Sequence, residues 1–331
     1  MRKSLFTKLI SIAFVSYLAS SCSLIASHSH SSDIVTPTVI SYESSPDSFN
    51  TKTFAIHHAG RTFFVDSQFT QTEAKNFYRK VEKEIESEIE GGVVFVTHAN
   101  PDKFNGAQSL KATNEKLKLL TSKNTANEIP KVHDYKKYYF TQIAKSFSET
   151  DYPKISEIET HFEDRLEYDL AGIKIDLIEI KTAALAETHN VVYVESANAL
   201  FVGDLIHYKA HAWLEGPVAT GKSEFNVKNW LKVLDRLEEL FPAETKVYAG
   251  RGEVAELAVT LQAQRAYLLK AKDIVDEYVA RKELSKQNLT REKISQASQD
   301  LRAMFEAAFP DYDVSYMIEY GIYGMLQSSL E

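Results

Sequence analysis

The chain has 331 residues, enough for one large domain or for a domain with an appendage. Its 44% hydrophobic and 25% charged content suits a globular protein with a substantial core. A formal charge of −8 with no basic stripe excludes a general nucleic-acid binder, because phosphate binding needs clustered positive charge.

Residues 1–21 read as a secretory signal. Arg2, Lys3 and Lys8 precede the apolar stretch Leu9 to Leu18, which is too short to span a bilayer comfortably, and small residues follow at Ala19-Ser20-Ser21. Next comes Cys22, the single cysteine of the chain. This arrangement resembles a bacterial lipobox, although Ala19 stands where leucine is usual and Leu18 lies one residue early. The resemblance implies export to the bacterial cell envelope, with a lipid on Cys22 holding the chain to a membrane facing the periplasm. Ordinary cleavage with a leftover cysteine is the alternative. Loss of Arg2, Lys3 and Lys8 takes the charge from −8 to −11. Residues 22–50, rich in serine with scattered prolines, read as a flexible tether that includes His28 and His30.

Thr53 to Ile56 and Thr62 to Val65 read as strands joined by a turn at Ala59-Gly60-Arg61. A capping box at Thr70 and Glu73 opens a helix whose apolar residues Ala74, Phe77, Val81, Ile85 and Ile89 recur at helical spacing, with Gly91-Gly92 ending it. The strand Val93 to Val96 leads into the loop THANPDKFNGA, and a helix is expected from about Gly106 to Leu120. Residues 121–165 carry little pattern beyond a helix over Tyr135 to Phe147. Strands are expected at Leu166 to Leu170, Ile173 to Ile180, Val191 to Val194, Ala199 to Val202 and Lys246 to Tyr248, with a helix over Asn226 to Leu240. From residue 253 to 331 the pattern is almost wholly helical, which reads as a C-terminal extension.

Gly216 to Ser223 satisfies the GxxxxGK[ST] pattern of a phosphate-binding loop. That loop needs a buried strand before it and a helix directly after. Lys209 to Glu215 shows no strand alternation, so the pattern is read as chance. His57-His58 on an early strand read as structural.

Five segments in order resemble the metallo-β-lactamase superfamily over roughly Thr53 to Gly252. His98, Asn100, Asp102 and Lys103 match the spacing of its HxHxDH motif. Glu187-Thr188-His189 resembles the segment bearing its third histidine, and Leu200 to Asp204 the strand and Gly-Asp turn of its bridging aspartate. Val65-Asp66 matches an early aspartate that supports the motif loop. Tyr248 to Gly252 resembles its final Pro-Gly-His-Gly, with Arg251 in place of histidine. The resemblance implies an α/β fold, a metallo-β-lactamase-type αββα sandwich over residues 51–252 with the helical extension behind it.

Carried over position by position, His98, Asn100 and His189 would hold a first metal, and Asp102, Lys103 and Arg251 a second, with Asp204 bridging. A protonated lysine or arginine offers no lone pair to a cation. Lys103 and Arg251 are therefore expected to form a charge cluster with Asp102 and Asp204 where the second metal would lie. His98, His189 and Asp204, with Asn100 as a weak fourth partner, leave two alternatives open: no metal, or a single zinc or iron. His207 and His211 are expected to line the pocket mouth. Two functions follow. One is a non-catalytic protein that binds a small molecule or an envelope protein. The other is a mononuclear hydrolase of an ester, thioester or lactone. β-Lactam cleavage is not implied by the resemblance.

Overall fold

The computed structural model describes residues 35–330. The expected signal, Cys22 and the stretch bearing His28 and His30 lie outside the described residues. Two sheets of six strands each form the centre. The first runs, in spatial and chain order, β1 (Thr38–Glu43), β2 (Lys52–His58), β3 (Arg61–Val65), β4 (Gly91–Phe95), β5 (Leu117–Ser122) and β6 (Thr160–Phe162). The second orders β12 (Ala255–Glu256), β11 (Lys246–Ala249), β10 (Ala199–Gly203), β9 (His189–Val194), β8 (Ile173–Ile180) and β7 (Arg165–Leu170).

Strand alternation builds the layers. In β3, Phe63 and Val65 point between the sheets with Phe54, Ile56 and Phe95, where they meet Ile175, Leu177, Val192 and Phe201. Phe64 points the other way, with Ala55 and Val94, and packs on Phe77 and Val81 of α1 (Gln71–Ile85). Across the molecule, Val191, Leu200 and Val202 turn outward onto Trp230, Leu234 and Leu237 of α5 (Val227–Leu240). The order is helix, sheet, sheet, helix, an αββα sandwich. The expected hairpin closes through Ala59 and Gly60, both at positive φ, between the paired residues His58 and Arg61. That is the backbone of a type I′ turn, which glycine tolerates at no steric cost.

The helices α6 (Leu257–Arg281), α7 (Arg291–Ala308) and α8 (Met317–Ser329) lie where the helical pattern placed them. Their buried residues Leu261, Leu268, Leu301, Phe305, Ile318 and Ile322 join the same cluster as Trp230, so the extension is part of the sandwich's own outer layer.

Four expectations are corrected. The tether does not reach Asn50, because Thr38–Glu43 pairs antiparallel with β2 over six residues. The helix expected over Gly106 to Leu120 is two elements, α3 (Ala107–Thr113) and β5; Leu110, Leu117 and Leu120 happen to fit a helical period. Helix α4 begins at Lys123, capped by Ser122, and ends at Tyr138 in a π-helical turn, Tyr139–Ile143. Helix α1 is capped as expected, with Thr70 accepting from the Glu73 amide, but it stops at Ile85 with Glu86 left-handed, and Gly91-Gly92 belong to β4.

Candidate functional site

β4 delivers the loop after it to the sheet edge. Asp66, at the end of β3 with φ 65°, accepts from the Thr97 amide at 2.8 Å and from Thr97 Oγ1 at 2.9 Å. Burial pushes the Asp66 carboxyl up to about 7, with Lys103 and the Thr97 bonds opposing. Because Thr97 Oγ1 donates its proton to Asp66, it accepts from His98 Nδ1 at 3.0 Å. The chain Asp66–Thr97–His98 thus leaves the lone pair of His98 on Nε2, which has no hydrogen-bond partner and lies 3.8 Å from Asp204.

Asn100 begins the short helix α2 (Pro101–Phe104), which carries Asp102 and Lys103 inward. Asp204 follows β10, and Arg251 follows β11. These four side chains form a closed ring. Lys103 Nζ lies 2.9 Å from Asp102 and 2.9 Å from Asp204. Arg251 lies 2.8 Å from Asp102 through Nη2 and 2.9 Å from Asp204 through Nη1. Its Nε donates to Phe49 O and its Nη2 also to Thr51 Oγ1, which in turn donates to Asp102. Every member is buried. A Cβ on Gly250 would come within 2.1 Å of Asp204 Oδ1 and 2.7 Å of Lys103 Nζ, so the ring closes only over a glycine.

Two cations and two carboxylates make the ring neutral. Burial disfavours each charge, yet the partners outweigh it. Lys103 and Arg251 are held above their ordinary values by the two aspartates, and Asp102 and Asp204 below theirs by the two cations. For the histidines burial outweighs the pull of Asp204. Burial lowers His98 to about 4 and His207 to about 3, and takes His189 well below its usual range.

His189 opens β9 and its ring lies 5.3 Å from that of His98. Its Nε2 accepts from the Ala186 amide at 3.2 Å. A neutral imidazole has one donor and one acceptor nitrogen, so this bond assigns the proton to Nδ1, which offers no lone pair to a metal. Both Asp204 oxygens already meet a cation, and Asn100 lines the cavities above the ring. Among the described residues no group of three His, Cys, Asp or Glu side chains is arranged to hold a metal ion. As arranged, His98, His189, Asp204 and Asn100 do not fit one.

The expected pocket-lining histidines are corrected as well. His211 sits in an aromatic nest with Tyr267, Phe305, Phe309 and Tyr312, its Nδ1 3.2 Å from Tyr267 Oη. His207 is buried against Trp230 with neither ring nitrogen bonded. Neither lines the mouth, because the C-terminal helices cover the chain that follows Asp204. Gly216 to Ser223 forms a loop with no strand before it, as the pattern's context required.

Several residues at the site carried no sequence signal. Phe49 and Thr51 lay in or beside the expected tether. Lys136 is one of several lysines in and before the helix expected over Tyr135 to Phe147, and Glu128 looks like a surface residue of α4. Trp213 and Glu215 lie in the stretch Lys209 to Glu215, which shows no strand alternation.

No family profile matches the sequence, and no curated protein matches it. Among solved structures it is similar to a metallo-beta-lactamase from Pontibacter korlensis, with 13% identity, coverage of 71% of this chain and 99% of that one, and a TM-score of 0.51. It is also similar to a metallo beta lactamase from Hirschia baltica, with 14% identity, 70% and 91% coverage, and a TM-score of 0.47. At this identity the likeness speaks to architecture. The protein has the metallo-β-lactamase fold.

Proposed function

We propose that this chain is an exported, lipid-anchored protein of metallo-β-lactamase fold that works without metal-dependent catalysis, binding a ligand or partner at the cell envelope. The observation that carries this reading is the position of Lys103 and Arg251. Each spans Asp102 and Asp204, the two carboxylates that the family resemblance assigns to the second metal. A cation introduced there would meet two positive charges and no free carboxylate oxygen except Asp102 Oδ1. Lys103 and Arg251 thus pair with the same carboxylates from within the chain, leaving only Asp102 Oδ1 without a partner.

The test is the metal content of the purified domain from Asp33 onward after zinc or iron supplementation, compared with a His98→Ala/His189→Ala control. Metal at or below the control supports the reading. Near-stoichiometric metal that the control loses overturns it and installs the mononuclear hydrolase, to be screened on esters, thioesters and lactones.

A further inference from the structure

Two small cavities share Asn100, Lys136 and Trp213, and the second is floored by Asp102 and Arg251 of the ring. The first is lined by Glu128, Glu187 and Glu215, the second by Phe49, Phe69, Phe140 and Asp102. Each has about 10 Å³, room for a single water. The Lys136 ammonium pairs with Glu215 and sits 4.8 Å from the centroid of the Trp213 ring. Trp213 Nε1 donates to the same Glu215 carboxylate at 2.8 Å. A lysine thus holds its charge between an indole face and a carboxylate, the surroundings in which proteins capture ammonium ligands.

Two further carboxylate oxygens point to a ligand. Glu128 Oε2 and Asp102 Oδ1 are buried without a partner, in residues only 7% and 3% exposed, and one residue lines each cavity. Buried acceptors are ordinarily satisfied. Asp102 and Arg251 neutralise each other in the ring, which leaves Glu187 and Glu215, with a Glu128 that burial raises to about 8, against Lys136 in the linings. Lys136 is itself paired with Glu215, so an anionic ligand would find carboxyl groups and no free counter-charge.

We propose that the Lys136 ammonium is a tethered stand-in for an organic cation, and that the two cavities join into one site for a small amine or quaternary ammonium with an apolar body when that side chain swings out. The ligand's cationic head replaces Lys136 between Glu215 and Trp213. Its body lies against Phe49, Phe69 and Phe140. The unpartnered oxygens of Glu128 and Asp102 accept any N–H that it brings. This rests on the ligand-binding reading above and names its ligand class.

The experiment titrates the whole protein with benzyltrimethylammonium and benzylamine, and with benzoate and benzyl alcohol as anionic and neutral matches, following tryptophan fluorescence and thermal unfolding. Trp213 reports the site, and the fully buried Trp230 serves as reference. Both cations are expected to give a saturable response and benzoate none. Lys136→Met keeps the stem and removes the competing charge, so cation affinity should rise about tenfold as the closed form ceases to compete. Lys136→Gln is the second variant should the first not fold. Glu215→Gln should weaken binding by a similar factor. The proposal falls if neither cation gives a saturable response, if benzoate binds as well as they do, or if affinity is unchanged in both Lys136 variants. Ester turnover that His98→Ala/His189→Ala abolishes would remove the non-catalytic reading whatever the cations do. Absence of both turnover and cation binding removes only the ligand class.

Discussion

Arg251 Nη1 lies 2.9 Å from Asp204 Oδ2, joining residues 47 apart in sequence in a place that water does not reach. Removing one partner of such a pair strands a buried charge, which costs far more than the pair contributes. Arg251→Ala should therefore lower unfolding free energy by about 3–5 kcal/mol in urea titrations. Arg265, whose partners Asp235 and Glu238 are exposed, is the control, and Arg265→Ala should cost about 1 kcal/mol or less. Equal costs would mean that the ring does not hold the fold.

Gly250 tests the same ring through space rather than charge. A methyl group there overlaps Asp204 Oδ1 and crowds Lys103 Nζ. Gly250→Ala should destabilise by about 1–3 kcal/mol, the usual cost of overpacking, or more if the ring breaks. A neutral result in urea titration would show that the ring has slack.

Acid should unfold this protein in two stages. His98 and His207, lowered to about 4 and about 3, stay neutral in the fold while unfolded histidines protonate below about 6.5. A depressed folded value supports the fold above the unfolded one, and that support is lost as pH falls toward the folded one. These histidines make stability fall from pH 6.5 down to about 4 for His98 and about 3 for His207; the depressed Asp102 and Asp204 extend the loss below the ordinary carboxylate range. Asp66 and Glu128, raised to about 7 and about 8 chiefly by burial, act the other way. Their support is complete below about 4 and lost as pH rises through the folded values. The slopes overlap, so variants must separate them. His207→Phe should flatten the profile from pH 6.5 down to about 3. Glu128→Gln should gain on the parent progressively from pH 4.5 to 8. Parallel pH profiles for parent and variants would refute the assignment.

If lysine and arginine have replaced metal ligands, histidines should restore them. The triple variant Asn100→His/Lys103→His/Arg251→His re-creates the ligand set of the family motif. It should be less stable than the parent without metal and rise in melting temperature with added zinc, by about 2.7 kcal/mol of stabilisation at a hundredfold excess over its Kd. The parent should not respond. A triple variant that folds yet ignores zinc would place the carboxylates wrongly for a metal.

Much of the sandwich was legible because its strands are bounded and its helices amphipathic: Val93 to Val96 and Leu200 to Asp204 bring their motif residues to one edge as the spacing implied. The ring was foreshadowed by the resemblance, which implied that Asp102 and Asp204 meet, and by charge, since two buried carboxylates demand two cations. What escaped was tertiary. Thr38–Glu43 is a short alternating strand in a serine-rich stretch, and its pairing with β2 decides its state. Leu117 to Ser122 fits a helix until the parallel pairing with β4 is known. Phe49 enters the site through its carbonyl, which any residue possesses. Lys136 and Glu215 meet across 79 residues, and no local pattern announces such a pair.

The ring also bears on the order in which the molecule assembles. Phe49 and Thr51, Asp102 and Lys103, Asp204, and Arg251 arrive from four separate stretches, and Arg251 bonds partners 149, 200 and 202 residues away. Contacts of such span incur their loop entropy before they return anything. Asp102 and Lys103, adjacent in sequence, can neutralise each other early, whereas Asp204 waits for Arg251. The ring is then a clasp closed after the sheets have docked, absent from the folding transition state. Arg251→Ala should accordingly speed unfolding while leaving the folding rate nearly unchanged, giving a φ-value near zero in stopped-flow chevrons. A value near one would make the ring the seed around which both sheets gather.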